Sequence, residues 1–171
     1  MNLKKILVGI DGIKAKGEID REVTTIEKDS RKVVEGSMFF AIKGFTTDGT
    51  QYINSAIEKG AKTILVEETT DIRSLNIPED VTLIVVPDAR YAMAICACNF
   101  YDNPSKKVKL IGVTGTKGKT TTTFMIKEIL QKQGIKTGLV GTIAVYSGDK
   151  KLLDSDRTTP ESIELQQYFA Q

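Results

Sequence analysis

The chain has 171 residues, of which 40% are hydrophobic and 27% are charged, and its formal net charge is +2. Basic and acidic residues are mixed along the chain, so it has no basic stripe of the kind that binds nucleic acid, and no apolar run approaches the ~20 residues of a membrane span. Histidine is absent, which excludes histidine bases and histidine metal ligands within these residues. These features predict a globular cytoplasmic protein that acts through carboxylates, hydroxyls, lysines and backbone amides.

The first hundred residues predict alternating helices and strands. Leucine and isoleucine at positions 3, 6, 7 and 10 have the spacing of an amphipathic helix. Short strands are predicted within 21–31 and 37–44, a helix at about 48–59 that ends before Gly60, and buried strands at 61–68 and 81–88. Asp88 is the predicted N-cap of a further helix. The side chains of Cys96 and Cys98 on this helix point to different faces, so they cannot form a disulfide without distortion and are expected to be core thiols.

A change of pattern predicts two domains. The segment YDNPSKK, 101–107, ends the last of these helices, and we place the boundary between residues 105 and 106. Beyond it, the sequence predicts a strand at 108–113, a helix at 119–133, a strand at 136–141 and a hairpin at 142–155. A last helix is predicted from Pro160, with Thr159 as its N-cap. Roughly 65 residues are near the lower limit for a self-sufficient core, so we expect this second domain to be incomplete.

A glycine-rich loop, TGTKGKTT at 114–121, lies between a predicted strand and a predicted helix. The amides of such a loop, together with the positive end of the following helix, form a site for phosphate. Lys119 would place its charge between two phosphates, and the Thr120 hydroxyl would bind a magnesium ion held by them. The general phosphate-loop pattern requires glycine at position 113, where this chain has valine, so the loop is a shorter variant.

The stretch GVTGTKGKTTTT resembles the ATP-binding signature of the Mur ligases, which are ATP-dependent amide ligases that build the peptide of bacterial cell wall precursors. Two more segments agree, in the same order. Residues 29–53 look like the uridine-nucleotide-binding stretch of the tripeptide-forming members, and RTTPES at 157–162 looks like their muramoyl-dipeptide contact. The resemblance implies an α/β fold, with a small UDP-binding domain over 1–105 and the start of an ATPase domain with a mainly parallel sheet over 106–171.

The resemblance also implies an activity. ATP, with Mg²⁺, would phosphorylate the D-glutamate carboxylate of UDP-N-acetylmuramoyl-L-alanyl-D-glutamate, and the amine of meso-diaminopimelate or L-lysine would attack the acyl phosphate. The choice between the two diamino acids stays open, as does the oligomeric state. The family's metal-binding glutamate, modified lysine and C-terminal domain correspond to positions after Gln171, so we expect these residues alone to bind nucleotide without turnover.

The resemblance assigns three groups of contacts. The ATP contacts are Gly115, Thr116, Lys117, Gly118, Lys119, Thr120 and Thr121, with Thr120 also at the metal. The uridine-nucleotide contacts are Ser30, Gly44, Phe45 and Thr46, and the dipeptide or sugar contacts are Thr158 and Thr159. Lys117 stands where the family usually has asparagine, and it would either strengthen ATP binding or point to solvent. Two purely structural alternatives remain. The DSR segment at 29–31 also fits a simple Asx turn, and Thr159 also fits a helix N-cap.

Other functions fit parts of the sequence. Another Mur step or a folylpolyglutamate-type ligase would have a similar phosphate loop, although folate ligases begin with the ATPase domain and lack the roughly 105 residues that precede it here. A non-catalytic nucleotide-binding module would also need only these features. A downstream acidic metal ligand and C-terminal domain would favour the enzyme.

Overall fold

The computed structural model describes residues 1–44, 47–154 and 160–171. They form two compact units, Met1–Asp102 and Asn103–Gln171. The division falls three residues before the boundary placed after residue 105. Phe45, Thr46, Thr158 and Thr159, four of the predicted contacts, lie outside the described residues.

The first unit is built on a five-stranded, mainly parallel sheet. Its strands are β1 (Lys14–Lys16), β2 (Ile26–Glu27), β3 (Met38–Phe40), β4 (Thr63–Glu67) and β5 (Thr82–Val86), in the order β1-β5-β4-β3-β2. Strands β2 to β5 run parallel, and β1 pairs antiparallel with β5 at one edge. The predicted α/β class with a mainly parallel sheet is therefore confirmed, and the parallel sheet lies in this unit.

The helices of the first unit are α1 (Leu3–Ile6), α2 (Ile53–Glu58) and α3 (Ala89–Phe100). Asp88 caps α3 as predicted, since its Oδ1 accepts a hydrogen bond from the Tyr91 amide at 2.8 Å. The buried face of α3 includes Cys96, whose burial raises the pKa of its thiol to about 12, whereas Cys98 is half-buried. The first helix is shorter than predicted because the chain turns after Leu7, at Gly9 with φ +83°.

The predicted helix at 48–59 is a 3-10 turn, Gly49–Tyr52, followed by α2. Asp48 begins the turn by accepting from the Thr50 amide at 3.0 Å, and Gly60 follows the helix at φ +102° as predicted. A Cβ on Gly60 would lie 2.7 Å from the Glu35 Cα. The end of α2 is therefore packed directly against the backbone that precedes β3.

The second unit contains α4 (Lys119–Lys132), β6 (Gly138–Val140), β7 (Ala144–Ser147), β8 (Lys150–Asp154) and α5 (Ser162–Phe169). The hairpin of β7 and β8 is confirmed. Strand β6 pairs antiparallel with β7, so the described strands of this unit form an antiparallel sheet rather than the mainly parallel one expected here. None of the helices in the described ranges combines the length and apolar character needed to cross a membrane.

Two local predictions in the second unit are wrong. Residues 108–113 are not a strand, because no strand among the described residues pairs with them, and Leu110 and Ile111 are 57% and 56% exposed. Helix α5 begins at Ser162 rather than at Pro160, so Glu161 takes the N-cap position that was predicted for Thr159. Glu161 has an extended backbone, with ψ 171°, so the helical conformation begins only at the next residue.

Candidate nucleotide sites

The glycine-rich loop of the second unit leads directly into α4. Gly118 is the N-cap residue at φ +78°, and Gly115 has φ +150°, both of which are conformations that side chains with a Cβ rarely adopt. Gly118 has no side chain that could cap the helix. The first backbone hydrogen bond of the helix is donated by the Thr122 amide to the Gly118 carbonyl, at 2.9 Å. The amides of the preceding helical residues, 119–121, therefore have no partner within the helix and are available to an anion.

Lys119 folds back across this loop. Its Nζ donates a hydrogen bond to the Gly115 carbonyl oxygen at 2.6 Å, so the ammonium group lies against the glycine-rich loop that leads into the helix. The side chains of Thr116 and Lys117 are exposed. The loop thus combines backbone donors, a helix N-terminus and one fixed positive charge, which is the arrangement that binds nucleotide phosphates.

The first turn of α4 also offers a hydroxyl. Thr120 is half-buried, its carbonyl accepts from the Thr123 Oγ1 at 2.8 Å, and its own hydroxyl has no hydrogen bond among the described residues. Within those residues no cluster of three or more acidic, cysteine or histidine side chains is placed to hold a metal. Magnesium commonly takes one or two protein oxygens and fills its other positions with phosphate oxygens and water, so the single hydroxyl fits that ion when a nucleotide is present.

The predicted uridine-nucleotide segment forms a tight turn after β2 in the first unit. The Asp29 carboxylate accepts from the Arg31 amide at 3.0 Å and from the Arg31 Nη2 at 2.7 Å. The Arg31 guanidinium, through this side-chain hydrogen bond, lowers the pKa of Asp29 to about 2. The Asx turn considered from sequence is therefore present, and it is compatible with a binding role for the residue between its two ends.

That residue, Ser30, is 8% exposed. Its hydroxyl makes no hydrogen bond with any described residue, and it is not one of the fully buried side-chain atoms that lack a partner, so solvent reaches it. Its carbonyl accepts a hydrogen bond from the Lys59 Nζ at 3.0 Å. Ser30 therefore presents a solvent-accessible hydroxyl, free of protein partners among the described residues, on a backbone that is held in place.

A second predicted segment follows β3. Lys43 and Asp48 form an antiparallel bridge, and the Gly44 amide donates to the Thr47 carbonyl at 2.9 Å. A Cβ on Gly44 would approach that same carbonyl to 2.9 Å, so the closed loop requires glycine. Strands β2 and β3 are adjacent and parallel, so the segments of Ser30 and Gly44 both follow the carboxyl ends of strands on the same side of the sheet. Ligands of α/β folds bind at the carboxyl ends of the strands.

Sequence patterns missed two features of this edge. A crevice of about 420 Å³ is lined by residues 41–43, 48 and 50, by the end of β4 with the segment after it, and by Arg90. The Arg90 Nη2 donates to the Lys43 carbonyl at 3.4 Å. The other feature is the bond from Lys59 to Ser30. Neither cation has a local signature, since a lysine at a helix end and an arginine in a first turn are ordinary surface residues.

The fold and the loop define a two-unit α/β protein whose second unit carries a glycine-rich loop leading into a helix, a geometry of the type that binds phosphate. A family model for the Mur ligase middle domain matches residues 113–171, and one described as Mur ligase family, catalytic domain, matches residues 22–101. The chain belongs to the Mur ligase family.

Curated relatives agree over the full chain. A Clostridium botulinum protein named UDP-N-acetylmuramoyl-L-alanyl-D-glutamate--2,6-diaminopimelate ligase is 52% identical over 169 residues, which are 99% of this chain and 34% of the relative. A Clostridium perfringens protein of the same name is 48% identical with the same coverage. The chain thus spans about a third of the length of the relatives that it matches.

Solved structures show the same fold. A structure of a UDP-N-acetylmuramoyl-L-alanyl-D-glutamate--2,6-diaminopimelate ligase superposes with a TM-score of 0.68 at 24% identity, covering 99% of this chain and 33% of that one. MurF from Acinetobacter baumannii superposes with a TM-score of 0.58 at 21% identity, covering 99% and 32%. At these identities the likeness concerns the fold alone.

Proposed function

We propose that this chain is part of an ATP-dependent amide ligase that joins 2,6-diaminopimelate to UDP-N-acetylmuramoyl-L-alanyl-D-glutamate, with Mg²⁺ as the metal. The observation that carries the proposal is the phosphate loop with Lys119 folded onto Gly115, in a chain that matches ligases of this name over 99% of its length. The names of the relatives favour diaminopimelate over lysine. A cytoplasmic location stays a prediction.

The second unit would bind ATP. The amides at the start of α4 donate to phosphate oxygens, and Lys119 stabilises the negative charge that develops during phosphoryl transfer. When bound, Mg²⁺ supplies further charge neutralisation, and Thr120 is the residue of this chain that would hold it. Phosphorylation makes the D-glutamate carboxylate reactive, because phosphate leaves far more readily than oxide when the amine attacks.

The first unit would bind the uridine nucleotide. Ser30 contributes a free hydroxyl from a fixed turn, and the loop at Gly44 lies at the same edge of the sheet. The roles of Phe45, Thr46, Thr158, Thr159 and Lys117 stay predictions from the family resemblance. Since the chain matches about a third of its relatives, we assign nucleotide binding to these 171 residues and turnover to a longer protein.

Calorimetric titration of the 171-residue chain tests both sites. We expect binding of MgATP and of UDP-N-acetylmuramoyl-L-alanyl-D-glutamate, with plain UDP and the muramoyl dipeptide as weaker controls. Ser30→Ala should weaken the uridine nucleotide and leave MgATP unchanged, so each ligand serves as the control for the other. A folded chain that binds MgATP but not the uridine nucleotide would favour the alternative of a nucleotide-binding module with another role.

A further inference from the structure

The end of α2 reaches the turn that carries Ser30. The Lys59 Nζ donates to the Ser30 carbonyl at 3.0 Å across 29 positions of sequence. The bonds between Asp29 and Arg31 are local, two residues apart, and they fix the shape of the turn. The bond from Lys59 instead ties the turn to a different element of the fold.

Lys59 is itself held on a rigid support. The Gly60 amide donates to the Ile57 carbonyl at 2.9 Å, and the Gly60 carbonyl accepts from the Gly36 amide at 2.8 Å. There is no room for a Cβ on Gly60 against Glu35, so this junction is closely packed. The backbone that carries Lys59 is therefore fixed relative to the strand that follows Gly36.

The consequence falls on the Ser30 hydroxyl. This group has no hydrogen bond among the described residues, so its position depends on the backbone that carries it. A ligand contact is lost when its donor is displaced by about 1 Å, even if the residue itself is intact. A tie at the carbonyl of the same residue limits that displacement, and a donor that is fixed in advance binds more tightly because less ordering is needed on binding.

We propose that Lys59 is a positioning residue for the uridine-nucleotide site, acting through the backbone of Ser30. This inference rests on the proposed function, because it requires Ser30 to contact the nucleotide. Lys59 contributes a directional donor at the Ser30 carbonyl. Its effect on nucleotide affinity therefore depends on the presence of the Ser30 hydroxyl.

The test is calorimetric titration of the chain with UDP-N-acetylmuramoyl-L-alanyl-D-glutamate. Lys59→Met removes the donor while keeping the length of the side chain, and we expect about a tenfold loss of affinity. Lys59→Arg keeps a donor and should stay within about twofold of the wild type. Lys16→Met removes the same charge from exposed β1 at the opposite edge of the sheet and should leave affinity unchanged.

A double-mutant cycle separates positioning from direct contact. In the Ser30→Ala background, Lys59→Met should cause little further loss, because the group that it positions is gone. Additive losses would overturn the proposal, since they would mean that Lys59 touches the nucleotide itself. If Lys59→Met bound the nucleotide as tightly as the wild type while Ser30→Ala bound it more weakly, this inference would be overturned and the proposed function would stand. Absence of binding by the folded wild-type chain would instead overturn the proposed function, and this inference with it.

Discussion

The Lys119 Nζ lies 2.6 Å from the carbonyl oxygen of Gly115, four residues earlier, so the lysine side chain folds back onto the glycine-rich loop. The Gly115 carbonyl accepts one hydrogen bond from the ammonium group and holds it against the loop that leads into α4. A bound phosphate would find this charge already in place. Preorganisation of this kind lowers the cost of binding.

Replacement of Lys119 by methionine should weaken MgATP binding by about tenfold to a hundredfold, because a charge-assisted contact with phosphate is worth about 1.5–3 kcal/mol. Calorimetric titration measures the change. Lys132→Met, at the exposed far end of the same helix, removes an equal charge and should leave the affinity unchanged. Equal losses in both variants would mean that the effect is one of net charge rather than of this contact.

The two left-handed glycines that flank α4 provide a matched pair. Gly118 before the helix and Gly134 after it have φ of +78° and +77°, and at both positions a Cβ would meet nothing within 4 Å. Alanine at either position should cost about 1 kcal/mol of folding stability through backbone strain alone. Thermal unfolding measures that loss for each variant.

Only Gly118→Ala should also weaken MgATP, because its strain acts on the amides that face the phosphates. Gly134→Ala should match it in stability and bind MgATP like the wild type. If both variants bound MgATP equally well, the backbone conformation of Gly118 would have no part in the phosphate site.

The turn at Ser30 should make the stability of the fold depend on pH, through the carboxyl group of Asp29. The hydrogen bond from Arg31 lowers the pKa of Asp29 to about 2, below the ~3.9 of an unfolded aspartate. A carboxyl group with a lowered pKa in the folded state stabilises that state above the unfolded pKa and loses this contribution as the pH falls through the folded pKa. Arg31→Met should therefore reduce stability above about pH 4, by a small amount because the Arg31 side chain is 85% exposed, and the difference should be lost as the pH falls through about 2.

An NMR titration of the Asp29 carboxyl group in the wild type and in Arg31→Met gives the pKa directly. We expect the variant to titrate closer to the ordinary aspartate range. The same low pKa in both chains would show that Arg31 is not its cause.

Where the sequence predicts the structure, the signal is local. The continuous apolar runs that became β4 and β5, the Asp88 cap of α3 and the glycine loop before α4 can each be identified from a few neighbouring residues. Strand β1 has no such signal, because Lys-Ala-Lys shows no apolar alternation and becomes a strand only by pairing with β5. The converse holds at 108–113, where an apolar pattern lacks a neighbouring strand among the described residues.

The candidate site divides in the same way. The phosphate loop is a contiguous motif whose geometry follows from glycine and helix termini, so sequence was sufficient to place it. The bond from Lys59 to Ser30 joins residues 29 positions apart and has no periodicity that could indicate it. Contacts of this type depend on how elements pack and become visible only in three dimensions.

The two cysteines of α3 should differ in reactivity. Cys96 is buried and burial raises the pKa of its thiol to about 12, which leaves almost no thiolate near neutral pH, whereas Cys98 is half-buried. A maleimide added to the native chain at pH 7 should therefore modify Cys98 first, and Cys96 only after denaturant unfolds the helix. Peptide mass spectrometry after timed labelling identifies the modified residue. Labelling of Cys96 as fast as Cys98 in the native chain would mean that the core under α3 opens readily, contrary to its close packing.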